Sequence, residues 1–327
     1  MSVVIRRGFA RKPPDGFKTG VGQRGSLLPR PFIPRLSPEQ EPLWFAVPAL
    51  LLIFVAVVVP SVSTLLLAFQ GPNHEFVGLA NFRDVLQDPE TLNLSRFPGH
   101  SPPWGALVHN ALWILIHLPA SVGLGLLLAL LFQDIPGNQI LRVFIYLGMI
   151  LPMVIGGVLI RFLFDENAGI VNGALELLGR SDLVRTWTAY PETALFALIL
   201  GSVWLWVGFP LVLFSSGLTT IPRELYEAAD IDGAGTWAKF RHITWPGLAP
   251  VTSVVVAMTV LWELKIFDIV YVATQGGPGN ASLVLALEMY FAAFRALDYP
   301  HASALATILA LLALLVGIRF VRTAKNA

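Results

Sequence analysis

The sequence predicts an all-α polytopic membrane protein, with six transmembrane helices and a polar helix-turn-helix set between the fourth and the fifth. Three observations carry this. Of the 327 residues, 55% are hydrophobic and 13% are charged, about half the charged share of an average soluble domain. Apolar runs of about twenty residues, long enough to cross the hydrocarbon core, recur along the chain. The longest polar interruption in its last two thirds, residues 221–250, stands between two such runs and so must lie in water.

Residues 1–42 are rich in Pro, Gly and Arg, show no apolar period, and read as a disordered basic tail. They hold eight Arg or Lys residues, but a polar, proline-rich run follows where the apolar core of a cleavable signal peptide would stand, so none is expected. The remainder, 43–327, reads as one six-span domain. The first span covers 43–69, with Pro48 and Pro60 as expected kinks. After a polar segment, 70–105, the second span covers 106–132. A short loop holds Asp134, Pro136, Gly137, Asn138 and Arg142, the third span covers 143–164, and a loop over 165–191 leads to the fourth, 193–218. Beyond the polar interruption the fifth span covers 251–273, a loop holds Gly276, Gly277 and Pro278, and the sixth covers 303–321. The apolar stretch 281–295 is too short to cross and reads as an interfacial or re-entrant helix.

Within 221–250, Pro222 suits the first turn of a helix and Glu224 its positive end. Leu225, Ala228 and Ala229 fall on one face, and Glu224, Glu227 and Asp230 on the other. Gly233 can supply a left-handed turn, a second short helix runs over about 236–242, and Pro246 ends it. Six spans put both termini on one side. That side carries fifteen basic residues against five, Arg83, Arg96, Arg180, Arg185 and Arg295, on the other, so the termini and 221–250 are expected in the cytoplasm.

Several kinds of chemistry are absent. There is no cysteine, which removes disulfides, thiolate metal sites and thiol catalysis together. The run GAGTWAK at 233–239 lacks the Gly-Lys-Ser/Thr ending of a phosphate loop and reads as a turn, so no nucleotide site is expected. The six histidines, His74, His100, His109, His117, His242 and His301, never stand at a metal-ligand spacing and read as surface or interfacial residues. No G-x-S-x-G elbow is present, and a formal net charge of +1 without a basic patch points away from nucleic acid.

Polar groups inside the membrane are therefore the candidates, because desolvation makes an intramembrane charge costly. Thr259, Glu263 and Ile266 recur at i, i+4 and i+7, with Trp262 at the edge of their face, which could line a pathway. Two roles stay open for Glu263: contact with a transported solute, or pairing with a neighbouring helix or subunit. Lys265 lies about 200° round the helix from it and is not its partner. Arg161, near a span end, reads as an anchor. In the fourth span Trp204 and Trp206 precede Gly208, Phe209 and Pro210, which predicts a broken or bent helix at a binding site, with aromatic faces suited to sugar rings.

At 227–246, Glu227, Ala228, Ala229, Asp232, Gly233, Ala234, Phe240, Ile243 and Pro246 resemble the E-A-A loop of bacterial ABC-importer permeases, with Trp245 where leucine is usual. Gly208-Phe209-Pro210, Phe267-Asp268, Thr274-Gln275-Gly276-Gly277-Pro278 and Gly78-Leu79-Ala80-Asn81-Phe82 resemble the carbohydrate, maltose-permease-like branch. The resemblance implies a multi-pass subunit of the bacterial plasma (inner) membrane, embedded in lipid, that binds no cofactor and is not itself an enzyme. ATP and Mg would be used by two partner ATPase subunits, with 221–250 as a coupling helix-turn-helix. Glu224, Glu227, Ala228, Ala229, Asp232, Gly233 and Ala234 would then form the docking surface. A second permease would complete the pore, and an extracytoplasmic sugar-binding protein would deliver a di- or oligosaccharide. The same resemblance maps a substrate pathway onto Trp206, Gly208, Leu211, Thr259, Trp262, Glu263 and Ile266. Rival readings are an ion-coupled secondary carrier, a permease for a non-sugar solute such as glycerol phosphate, and a membrane scaffold.

Overall fold

Backbone N–H and C=O groups cannot go unpaired in hydrocarbon, and a helix pairs them within one segment. The computed structural model describes residues 41–133 and 135–325, and these are helical almost throughout, with no strand among them beyond an isolated bridge between Gln70 and Phe76. Of the tail expected over 1–42, residues 1–40 lie outside the described residues, and Glu41 and Pro42 belong to α1.

Two units divide at Ile53. The first holds α1, Glu41–Ile53, with Pro48 inside it. The second opens on a π-helical turn, Phe54–Val58, and continues through α2 (Val59–Leu67) and α3 (Ala80–Gln87). Then come α4 (Ala106–Leu131), α5 (Gln139–Ile150), α6 (Met153–Leu163), α7 (Ile170–Leu177) and α8 (Pro191–Thr219). The polar hairpin is α9 (Arg223–Ile231) followed by α10 (Thr236–Lys239), a π-helical turn and α11 (Trp245–Gly247). Last are α12 (Ala249–Leu264), α13 (Asp268–Ala273), α14 (Leu285–Phe294) and α15 (Tyr299–Lys325).

Among the described residues, four helical stretches are long and apolar enough to cross a membrane: Phe45–Leu67, α4, α8 and Tyr299–Arg322. Two bent pairs bring the number to six, α5 with α6 at 110° and Thr236–Gly247 with α12 at 67°. The third span, expected over 143–164, is thus the bent pair α5–α6. Pro152 has no N–H to continue the ladder and holds Leu151 in an extended conformation, ψ 136°, so α5 must end there.

Of the broken or bent helix expected at Gly208-Phe209-Pro210, the break does not occur: α8 runs through it as one helix of 29 residues. Pro210 costs a single backbone hydrogen bond. Neighbouring helices pack closely around this stretch. A Cβ on Gly125 of α4 would stand 2.5 Å from the Pro210 Cβ, and one on Gly208 would stand 3.2 Å from Met149 Cβ in α5. The fifth span also differs from the expected 251–273: α12 stops at Leu264, and the chain turns before α13.

α8 is about 43 Å long at 1.5 Å per residue, and a buried cluster sits at each end of it. Toward its N-terminus, Leu195, Leu198, Ile199 and Leu205 pack with Trp113 of α4, Ile269 of α13, and Leu283 and Leu285. Toward its C-terminus, Leu211, Phe214 and Leu218 pack with Ala129, Phe132, Ile221 and Leu248. The hairpin therefore hangs from the second cluster, at the opposite end from α14.

The α4–α8 contact predicts a contrast between two glycines on one helix. Gly125→Val must displace the backbone of Pro210 and Leu211, whereas a Cβ on Gly123 meets nothing within 4 Å. Gly125→Val is expected to cost about 1–3 kcal/mol and Gly123→Val much less. Thermal unfolding in detergent reads this, and equal effects would refute the contact.

Candidate functional site

The hairpin is built from a few local devices. α9 begins after Pro222 with Glu224 in its first turn. Gly233 adopts φ +72°, a left-handed conformation a Cβ would strain, and it reverses the chain. This turn closes a Schellman pattern: the Ala234 N–H donates to the Ala229 carbonyl at 2.8 Å, and the Gly233 N–H to Asp230 at 3.1 Å. Lys239 Nζ, 2.5 Å from Asp230 Oδ1, ties the second helix to the first. The Tyr226 hydroxyl meets Thr244 Oγ1 at 2.9 Å, while Ile221 and Leu248 are buried in the cluster beneath.

With its base anchored, the hairpin presents the rest of its surface outward. Glu224, Glu227, Ala228, Asp232 and Gly233 are exposed, and Ala229 and Ala234 are half-buried. Ile231 is 87% exposed and Trp237 70%, large apolar side chains standing among carboxylates. Mixed apolar and acidic surface on a protruding element suits a protein partner with basic residues. Trp245, the departure from the E-A-A pattern, lies 6.3 Å from Phe240 ring to ring and lines a 600 Å³ cavity between α12 and α15.

The residues predicted for a substrate pathway divide into two groups. Trp206, Thr259 and Trp262 come together where α8 meets α12. The Trp206 indole N–H donates to Thr259 Oγ1 at 2.9 Å, and its ring stacks on Trp262 at 4.6 Å and 17°. Both rings are half-buried, so the stack keeps an open side. Gly208 and Leu211 turn instead into the packing with α5 and α4, and Ile266, 3% exposed, belongs to the cluster near α14. Ile266 lies past the end of α12, so the i+7 spacing that placed it beside Thr259 does not apply.

Glu263 is fully buried behind the tryptophans. Its Oε1 lies 2.8 Å from Nδ1 of His117, also fully buried, on α4. Asn110, one helical face along from His117, donates to the Glu263 carbonyl at 3.0 Å and accepts the Leu285 N–H at 2.9 Å. His109 Nδ1 lies 2.6 Å from the Leu283 carbonyl. His109 and His117 are therefore core residues, contrary to the surface reading, because each has a fixed partner on another element. Sequence reasoning missed this α4 group: its partners are more than 140 residues away. The one local signal is polar residues Asn110 and His117 at i, i+7 in an otherwise apolar run, with Trp113 between them. Arg161 and Lys265 are both exposed in the isolated chain.

Residues 121–324 match the model of the binding-protein-dependent transport system inner membrane component family. The chain belongs to this family. The match takes in the hairpin, the tryptophan stack and Glu263. A probable ABC transporter permease protein of Pyrococcus horikoshii is 50% identical over 86% of this chain and 97% of its own length. The trehalose/maltose transport system permease protein MalF of Thermococcus litoralis is 29% identical, over 85% and 91%. The sulfoquinovosyl glycerol transport system permease protein of Agrobacterium fabrum is 30% identical, over 85% and 88%. Among solved structures, a chain of a bacterial ABC transporter involved in the import of the acidic polysaccharide alginate superposes with a TM-score of 0.70 at 20% identity, covering 88% of this chain and 96% of that one. This permease thus shares the helical fold of ABC importer permeases and is a multi-pass membrane protein.

The Glu263–His117 pair can be weighed by a double-mutant cycle. Removing one partner leaves the other polar and buried, so His117→Leu or Glu263→Leu alone is expected to cost about 3 kcal/mol or more. The double variant His117→Leu/Glu263→Leu should recover a large part of that in chemical unfolding. Additive costs would mean that the two side chains do not depend on each other.

Proposed function

We propose that this permease is the transmembrane subunit of an ATP-driven importer for a sugar of di- or oligosaccharide size, forming half of the pathway. The observation that carries the reading is the hairpin, an acidic element rooted in a buried cluster that presents Glu224, Glu227, Ala228 and Asp232 to water at one end of the bundle. Such a surface suits docking on an ATPase subunit, whose closure would then move α8 and α12 together, since Ile221 and Leu248 root the hairpin in both. The chain itself would bind no cofactor; two ATPase subunits would use ATP and Mg. A second permease would supply the other half of the pathway. A binding protein is the natural source of substrate, in keeping with the family's description and with a structural neighbour solved in complex with an alginate pentasaccharide-bound periplasmic protein. The protein would then sit in the plasma (inner) membrane with both termini in the cytoplasm.

A sugar is favoured by the stacked, half-open Trp206–Trp262 pair, whose flat apolar faces suit pyranose C–H groups. The relatives named for trehalose/maltose and sulfoquinovosyl glycerol agree with that class. Neither an ion-coupled carrier nor a glycerol phosphate permease gains support from the stack.

Coupling is tested in the complex assembled with its ATPases and reconstituted in lipid. Glu227→Lys and Gly233→Asp, the latter placing a side chain at φ +72°, are expected to lower substrate-stimulated ATP hydrolysis at least about tenfold. Full stimulation in both would exclude the hairpin as the coupling element. Trp262→Ala is expected to reduce uptake of labelled maltose and trehalose while leaving assembly with the ATPases intact. Unchanged uptake would remove the stack from the pathway.

A further inference from the structure

A second polar site lies at the other end of the bundle from the hairpin, where the α3–α4 connection meets α14. Asp88, Glu90, Glu288, Arg295, Asp298 and His301 line a cavity of about 440 Å³ there. Four of these six are carboxylates. Asp88 and Asp298 each give one oxygen to a backbone N–H, of Glu90 at 2.8 Å and of His301 at 3.1 Å. The Arg295 guanidinium, also in the lining, lies over the Phe291 ring at 3.9 Å and donates to Gln275 Oε1, and among the described residues it forms no ion pair.

Glu288 separates this cavity from an ordinary acidic patch. It is only 6% exposed, and Thr91 donates a hydrogen bond to its Oε1. Its Oε2 is buried and has no hydrogen-bond partner among the described residues, although the side chain lines the cavity. Burial pushes its carboxyl up to about 7, against the lowering effect of the Thr91 bond, and the nearby charges of Asp88 and Glu90 raise it further. Burial and the neighbouring carboxylates thus favour the neutral carboxyl, and a cation entering the cavity would restore its charge and satisfy the free oxygen. No three histidine or acidic side chains among the described residues could hold a metal ion, so a bare metal does not fit. An elongated cation with several N–H donors does, because it can pair with Glu288 at depth and with Glu90 at the rim.

We propose that this cavity is a socket for an arginine or lysine side chain of the extracytoplasmic binding protein. The assignment of that partner rests on the proposed import function, which places this end of the bundle outside the cell. The cationic character of the guest rests on the cavity alone. A charge buried in such a socket fixes register and lifetime of docking, and carboxylates at its rim speed encounter.

The absence of cysteine from the sequence makes the test clean. A single cysteine, Ala296→Cys, at the cavity edge reports occupancy through its rate of modification by a neutral thiol reagent. In the full chain in lipid nanodiscs, propylguanidinium is expected to slow that rate, whereas propylsulfonate is not. Glu288→Gln, which can still accept from Thr91, should raise the protecting concentration about tenfold, and the exposed Glu90→Gln should raise it less. In the assembled complex, the same two variants should raise the half-saturating concentration of the binding protein for ATPase stimulation, about tenfold for Glu288→Gln, with the maximal rate unchanged. Absence of protection by propylguanidinium would overturn the socket. Protection with an unchanged half-saturating concentration would overturn the partner assignment and leave a site for a free organic cation. If the wild-type complex ignores the binding protein while propylguanidinium still protects, the import reading fails, and the partner assignment with it, but the cationic site stands.

Discussion

The structure depends on how closely α4 approaches α8. Gly125 admits Pro210 and the backbone of Leu211 at a distance that any side chain would prevent, and this contact brings two long helices together over most of their length. In a membrane, apolar burial between helices gains little over lipid, so packing of this kind has to supply the association. Both functional regions follow from it. At one end α4 contributes Ala129 and Phe132 to the base of the hairpin, and at the other it carries Asn110 and His117 to the chain around Glu263.

Glu263 and the tryptophan stack divide the labour of one helix. The carboxyl points into the chain, where His117 holds it, and Trp262, one residue earlier, turns about 100° away to stack on Trp206. Trp262 also lies 5.3 Å from the His117 ring, so the buried pair backs the half-open aromatic face. A rigid backing of this kind holds an aromatic surface in one orientation. Thr259 does the same for Trp206 by accepting its indole N–H.

Much of the hairpin was legible because its determinants are local. Pro222 starts α9, Gly233 supplies the positive φ, and Asp230 and Lys239 stand close enough along the chain to pair. The break before Pro152 could have been read by the same rule that was applied to Pro210. At Pro210 the chain stays helical against Gly125 of α4, whereas Pro152 leaves Leu151 extended and ends α5. Local chemistry proposes a break, and the neighbours decide whether it happens.

By itself the sequence determined the apolar runs, their helical state and the polar hairpin, since hydrocarbon thickness, backbone pairing and turn chemistry act over a few residues to a few turns. Only the tertiary structure decided that α8 runs unbroken, that His117 of α4 partners Glu263, and that Thr91 and Glu288 meet at the edge of an acidic cavity. Those are pairings between elements up to 197 residues apart. No periodicity carries that far, because a helix records which face is apolar but not which neighbour that face will meet.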